Sequence, residues 1–368
     1  TESELRVSDW RPLVRTLGLT TDLVKEWDSL PEAAREWPNA MRAVEAVAPF
    51  EVRERAPTRI GNRMGRPEKS ESRELSPTVH TLFPIGEAGG NQRDVSAASK
   101  HAEDMNDTPG EVTVQLGERD CPDCGTETVW AQCPDCGSHT DPRYECWDCG
   151  RRCEPDESGR VECPRCEREV DNVAPQTIDL REVYRDALDS VGERESAFDV
   201  LKGVKGLSSS AKVPEPIEKG ILRAKHGVSS FKDGTVRYDM TDLPVTAVRA
   251  SELDVTVDQL HALGYDADVR GDPLRHDDQL VDLRVQDVVL SDGAAEHMLK
   301  TADFVDDLLE SYYGLEPFYD VDERDDLVGE LVFGMAPHTS AAVVGRVVGF
   351  TSAAVGYAHP YFHAAKRR

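Results

Sequence analysis

Nine cysteines lie between residues 121 and 166, and eight of them form C-x2-C pairs: Cys121–Cys124, Cys133–Cys136, Cys146–Cys149 and Cys163–Cys166. A C-x2-C turn puts two thiolates on one side of a tight knuckle, and two knuckles complete a tetrahedral zinc site. CPDCG occurs twice and CPRC once, supplying the Pro and Gly that shape such turns. Pairs this close favour metal over disulfides. Zinc is the expected ion, with iron–sulfur ligation or redox pairs as the alternatives. Sequential pairing makes one site from Cys121, Cys124, Cys133 and Cys136, and a second from Cys146, Cys149, Cys163 and Cys166. Cys153, the ninth, could replace a member of the second set. Four thiolates leave no open position, so two structural zinc sites are expected.

A second group of residues could bind anions. The chain carries 43 Lys plus Arg against 70 Asp plus Glu, a formal net charge of -27. Only 11 of those cations are Lys, and six fall between Lys202 and Lys232. Such an acidic, Lys-poor surface suits a proteome adapted to high salt. Its 39% hydrophobic content excludes an acidic disordered tail, and its charge argues against a simple basic nucleic-acid binder. Three segments run the other way: 53–69 (six basic, two acidic), 200–232 (seven and two) and 327–368 (four and one). Basic islands in an acidic protein suit an anionic ligand.

In the first island Arg59, Arg63, Arg66 and Lys69 recur at spacings of four, three and three. On a helix they would form one basic stripe; Gly61, Gly65 and Pro67 favour a loop, which would serve a phosphate backbone as well. In the second, Lys202 and Lys205 lie in KGVKG, where glycine lets the backbone approach a ligand. Lys212, Lys219, Arg223, Lys225 and Lys232 follow as candidate phosphate contacts, each with a plain surface charge as the alternative. The third holds His338, His359 and His363, then Lys366, Arg367 and Arg368. A satisfied core histidine is the commoner role for any one of the three.

The elements that must position these residues are partly legible. Residues 1–50 read as a helical, acidic segment and 51–110 as a basic Arg/Gly-rich one. The knuckle region spans 111–175 and opens with the alternating run EVTVQL. Short apolar runs and turns fill 176–290, with RVQDVVL as a strand. In 291–326 Met298, Ala302, Val305, Leu309 and Tyr312 share one helical face, and Gly314 would end the helix. Asp303, Asp306, Asp307 and Glu310 would form its solvated side. Strand-like runs return in 327–368. The uncharged stretch 347–365 reads as buried sheet, not a membrane helix. The whole points to an α+β, multi-domain chain.

Three longer segments carry a resemblance: APTRIGNRMGRPEK (56–69), KGVKGLSSSAKVPEPIEKGILRAKHGVSSFKDGTVRYD (202–239) and GMAPHTSAAVVGRVVGFTSAAVGYAHPYFHAAKRR (334–368). With the cysteine array between the first two, they resemble the large subunit of the archaeal family-D replicative DNA polymerase. The resemblance spans nearly the whole chain, most weakly in 1–50 and 91–110.

It implies a core of double-psi β-barrels, the first formed in 176–290 and the second opening in 327–368, with zinc-ribbon-like knuckles and accessory helices. It implies DNA-directed DNA polymerase activity in the intact subunit, with primer-template DNA, dNTP, a small subunit bearing the proofreading nuclease and the sliding clamp as partners, in the cytoplasm. Lys202 and Lys205 correspond to active-site lysines. The other basic residues named above, with His338 and His363, would contact DNA or nucleotide. In the family an Asn-x-Asp-Gly-Asp segment follows the equivalent of HAAKRR and holds catalytic Mg²⁺; this sequence stops at Arg368. An internal fragment is therefore expected, inactive alone, cut by protein splicing or by ordinary truncation. A non-catalytic zinc-bearing nucleic-acid-binding protein is the alternative function.

Overall fold

Runs such as DVVLS and AVVGRVVGFT are too short and too β-branched for stable helices, and they pair as strands. The computed structural model describes residues 59–65, 78–102, 108–156, 158–231, 234–336 and 342–365. All fall within one compact unit, Thr58–Arg368. The expected helical segment 1–50 lies outside the described residues. So do Arg66, Lys69, Lys232, His338, Lys366, Arg367 and Arg368.

Six strands close a barrel. In spatial order they are Gly61–Gly65, Leu331–Met335, Ala342–Thr351, Asp287–Ser291, Gly356–Ala358 and Tyr238–Pro244, which pairs back with the first. Leu331–Met335 is antiparallel to Ala342–Thr351, and Asp287–Ser291 to Gly356–Ala358. The other four pairs are parallel. Parallel neighbours need long crossovers, so strands distant in sequence become adjacent here. One barrel thus unites strands from the segments 51–110, 176–290 and 327–368. Asp287–Ser291 is buried at every position, which explains its unbroken apolar run. Gly356 is required where it sits, since a Cβ there would lie 2.5 Å from the Val289 carbonyl oxygen.

The helix Asp292–Asp307 leaves the barrel directly and continues as a π-helical turn, Leu308–Tyr312. Met298, Ala302, Val305 and Leu309 are buried, as their spacing predicts, and Gly314 follows in the left-handed conformation at φ 65°. The expected solvated acidic side needs correction. Asp303 and Glu310 are exposed, but Asp306 accepts the amide N–H groups of Phe318, Tyr319 and Asp320 at 2.8–2.9 Å. Asp307 binds Lys225, His226 and the Ser311 hydroxyl. These carboxylates tie the helix to its neighbours.

Glu111–Gly117 pairs antiparallel with Val173–Asp179 in unbroken register from Glu111↔Asp179 to Gly117↔Val173. Val112, Val114 and Leu116 face the core, in keeping with the alternation of EVTVQL. The cysteine region follows the far end of this ribbon, and its Trp130 stacks on Phe83 of the main core at 5.9 Å between ring centroids. A smaller apolar cluster, including Leu253, Leu260, Tyr265 and Val281, packs beside the ribbon of Ala247–Arg249 with Leu280–Asp282. No helix among the described residues is long and apolar enough to cross a membrane.

Candidate zinc sites and nucleic-acid interface

The two cysteine sets assemble in sequential order. The sulfurs of Cys121, Cys124, Cys133 and Cys136 lie within 4.8 Å of one another, and so do those of Cys146, Cys149, Cys163 and Cys166. Cys121–Cys136 and Cys124–Cys133 are 3.4 and 3.5 Å apart, and Cys149–Cys163 is 3.6 Å. Zinc–sulfur bonds of about 2.3 Å put tetrahedral sulfurs about 3.8 Å apart, so the cages are close to size. A disulfide needs about 2.05 Å, and all nine cysteines are free thiols. Cys153 lies outside both sets; its thiol points to the Arg151 carbonyl at 3.4 Å.

Within each set local donors favour the thiolate at some sulfurs, while neighbouring thiols and burial push Cys121 and Cys166 up to about 12. The hydroxyl and amide of Thr126 push Cys124 down to about 6. The amides of Arg165 and Cys166 push Cys163 down to about 6. Gly125, Gly137 and Gly150 sit at positive φ just after a cysteine, which is why these three knuckles end in glycine. The donor set fits zinc.

The KGVKG loop is pinned by backbone. The Lys202 carbonyl accepts the amides of His80 and Thr81, and its own amide donates to His80 Nδ1 at 3.2 Å. Burial first, then the Lys202 charge, lowers the His80 pKa to about 4, so the ring stays neutral near pH 7. A Cβ at Gly203 would stand 3.1 Å from the Phe83 carbonyl oxygen, so that glycine admits the chain itself rather than a ligand. Gly206 has open space around it. Lys205 is exposed and pairs with Glu87 at 2.5 Å.

The remaining cations divide into two groups. Arg63 pairs with Asp239 in the barrel, and both side chains are nearly buried. Arg223 is buried and forked onto Glu215 at 2.7 and 3.2 Å. Lys225 is bracketed by Glu193 and Asp307 at 2.6 and 2.7 Å. By contrast, among the described residues Lys219 meets neutral groups, with its ammonium 2.9 Å from the Tyr313 hydroxyl and above the rings of Tyr312 and Tyr313. Lys212 donates to the Leu207 carbonyl. Arg59 lines a cleft between the barrel and the helix Asp292–Asp307. His363 Nδ1 lies 2.6 Å from the fully buried carboxylate of Asp242. His359 takes the amide of Tyr361 at Nδ1.

Sequence reasoning missed the internal carboxylates. Asp287 receives Arg346 at 2.9 and 2.7 Å and the Tyr265 hydroxyl at 2.5 Å, in a nearly buried setting. Asp242, Asp239 and Glu215 were equally invisible. In an acidic chain an internal Asp looks like any surface Asp, and only its burial sets it apart. Asn62, 2% exposed, was also passed over, although its place between Gly61 and Arg63 was a usable signal.

Two family models match. The model described as "DNA polymerase II large subunit DP2, catalytic domain" matches residues 192–368, and "DNA polymerase II large subunit DP2, central domain" matches residues 1–155. The chain is 74% identical to the DNA polymerase II large subunit of Natronomonas pharaonis and 71% identical to that of Halobacterium salinarum, over 100% of its own length in each case. It is 46% identical to that of Archaeoglobus fulgidus, again over 100% of the chain. It covers 31%, 27% and 31% of these proteins, so it spans about a third of the length of the curated relatives it matches. The chain belongs to the DNA polymerase II large subunit family.

Proposed function

We propose that this chain forms part of the core of a DNA-directed DNA polymerase, in which template-directed addition of dNMP extends a primer 3′ end during replication. The similarity along the whole chain to proteins of that name carries the reading. The closed six-stranded barrel with mixed pairing supports a double-psi architecture. The chain divides into an N-terminal segment, a DNA-path segment, the knuckle region and barrel parts, and the barrel of the described residues draws on several of those segments. Primer-template DNA, dNTP, a small subunit with the proofreading nuclease and the sliding clamp are the proposed partners, and the cytoplasm the proposed location.

Among the described residues no cluster of carboxylates has the geometry of a metal site. The catalytic Mg²⁺ ions are assigned to the family's Asp-bearing motif. When bound, such ions position the attacking 3′-hydroxyl and the leaving pyrophosphate. Lys202 and Lys205 offset the charge that gathers on the triphosphate as pyrophosphate leaves. For Lys205 to do so it must release Glu87, an exposed pair that costs little to break. Arg59, Lys212 and Lys219 contact phosphates, together with Arg66, Lys69, Lys232 and the basic end Lys366–Arg368. His338 and His363 are the proposed nucleotide contacts. Arg63, Arg223 and Lys225, already engaged by carboxylates, act by holding the elements that carry the others. The two four-cysteine sites hold structural zinc.

Primer extension by the full-length large subunit with its small subunit tests this. Lys202→Ala and Lys205→Ala are each expected to lower extension about a hundredfold, the usual loss when one electrostatic stabiliser is removed. Unchanged extension in both would overturn the role given to the loop.

A further inference from the structure

Lys202 and Lys205 share one loop but are held differently. Lys205 is exposed and pairs with Glu87 at 2.5 Å. The Lys202 ammonium has no hydrogen-bond or ion-pair partner among the described residues. A lysine carries its charge on a flexible four-carbon stem, so the place of this ammonium depends on the backbone beneath it. That backbone is buried on both sides of Lys202, at Leu201, Gly203 and Val204.

Two segments flank the loop. On one side the Val95 amide donates to the Leu201 carbonyl at 2.9 Å, and the Gly203 amide to the Arg93 carbonyl at 2.8 Å. On the other, the Lys202 carbonyl accepts the amides of His80 and Thr81 at 2.8 and 3.1 Å. These are backbone bonds, which almost any residue type could make. The Lys202 amide is the exception, because its acceptor is a side-chain atom, His80 Nδ1, at 3.2 Å. Nδ1 accepts only while it carries no proton, and burial keeps the ring neutral near pH 7.

His80 is tied down in turn. Its carbonyl accepts Arg223 Nη1 at 2.9 Å. The same guanidinium is forked onto Glu215, and Glu215 Oε1 also accepts the Leu82 amide. The helix Ile217–Lys225, which carries Arg223, approaches so closely that a Cβ at Gly220 would lie 2.4 Å from the Thr81 Cβ. Residues 80–82 are thus clamped between that helix and the Lys202 loop.

We propose that His80 is a positioning residue for Lys202. It holds the Lys202 amide and so fixes where the ammonium stands, and Glu215 with Arg223 anchors His80. None of the three needs to touch DNA or nucleotide to act. The inference rests on the role proposed for Lys202. A displacement of about 1 Å at a catalytic group can cost about a hundredfold in rate, so a support one bond away has a measurable effect.

The test is single-turnover primer extension by the full-length large subunit with its small subunit, enzyme in excess. His80→Leu is expected to lower the maximal rate at least about tenfold and to leave the half-saturating dNTP concentration unchanged. His80→Asn, whose Oδ1 can accept the same amide, is expected to restore most of that rate. The deciding arm is a double-mutant cycle. On a Lys202→Ala background, His80→Leu is expected to cause no further loss, because the group it positions is gone. An equal loss on both backgrounds would mean a merely structural role and would overturn the proposal, as would a His80→Leu enzyme that extends like the wild type. Arg223→Lys, which removes the fork but keeps a cation, is run through the same cycle and carries the test if His80→Leu does not fold. A loss in Lys202→Ala without one in His80→Leu or Arg223→Lys refutes the positioning alone. No loss in Lys202→Ala refutes the role of the lysine itself.

Discussion

His80 shows how one buried ring can report on the loop that carries Lys202. Its pKa falls from an ordinary 6.5 to about 4 in the folded chain. Between those values the unfolded chain binds the additional proton. The ring's contribution is therefore fully present above about 6.5 and is lost as pH falls through about 4. Urea unfolding of the wild type and His80→Asn from pH 7 to 4 is expected to give a shallower pH dependence in the variant. Identical slopes would show that the ring is not held neutral. Asp287 poses a second test at this scale. Asp287→Ala would strand the Arg346 guanidinium and the Tyr265 hydroxyl, at a cost of about 3 kcal/mol. A melting curve unchanged by that substitution would contradict the geometry.

The two four-cysteine knuckle regions are elements with little core of their own. Around the second set the buried cluster is Cys146, Cys153, Val161, Cys163 and Val170, mostly cysteine sulfur. The strands there are two residues long, as in Tyr144–Glu145 and Arg152–Cys153. Metal binding must then supply the folding energy. Chelation is expected to expose residues 118–172 to protease while the barrel stays resistant. Two zinc ions per chain should appear by native mass spectrometry, still two in Cys153→Ser and one in Cys163→Ser. Loss of a zinc in Cys153→Ser would mean that Cys153 belongs to the set. This pairing was legible from spacing, because each knuckle is local. The barrel was not. Asp287–Ser291, Leu331–Met335 and Ala342–Thr351 were recognisable as apolar runs, but Gly61–Gly65 reads as a loop in sequence and is a strand in the fold; its pairing with Tyr238–Pro244 spans more than the whole cysteine region, and no local signal encodes it.

At the scale of the molecule, charge dominates. A formal charge of -27 on 368 residues repels itself, and salt screens that repulsion. Thermal stability is expected to rise with KCl concentration, and a melting temperature indifferent to salt would refute the salt-adapted reading. Within the acidic coat the basic segments have separate fates. Arg223 and Lys225 are spent on Glu215, Glu193 and Asp307, whereas Lys219 and Arg59 face the cleft.

What the sequence determined by itself was whatever depends on near neighbours in the chain. It specified the cysteine pairs, the buried stripe from Met298 to Leu309 and the alternation of Glu111–Gly117. Those patterns follow from turn geometry and from helix and strand periods, which act over a few residues. Tertiary structure alone decided which strands close the barrel and which carboxylates are internal. It also turned Asn62, one polar residue among many, into an unpaired amide at the wall of a cationic cleft. The physical reason is that burial and pairing belong to surfaces formed by segments far apart in the chain. A side chain's type does not reveal what will be packed against it.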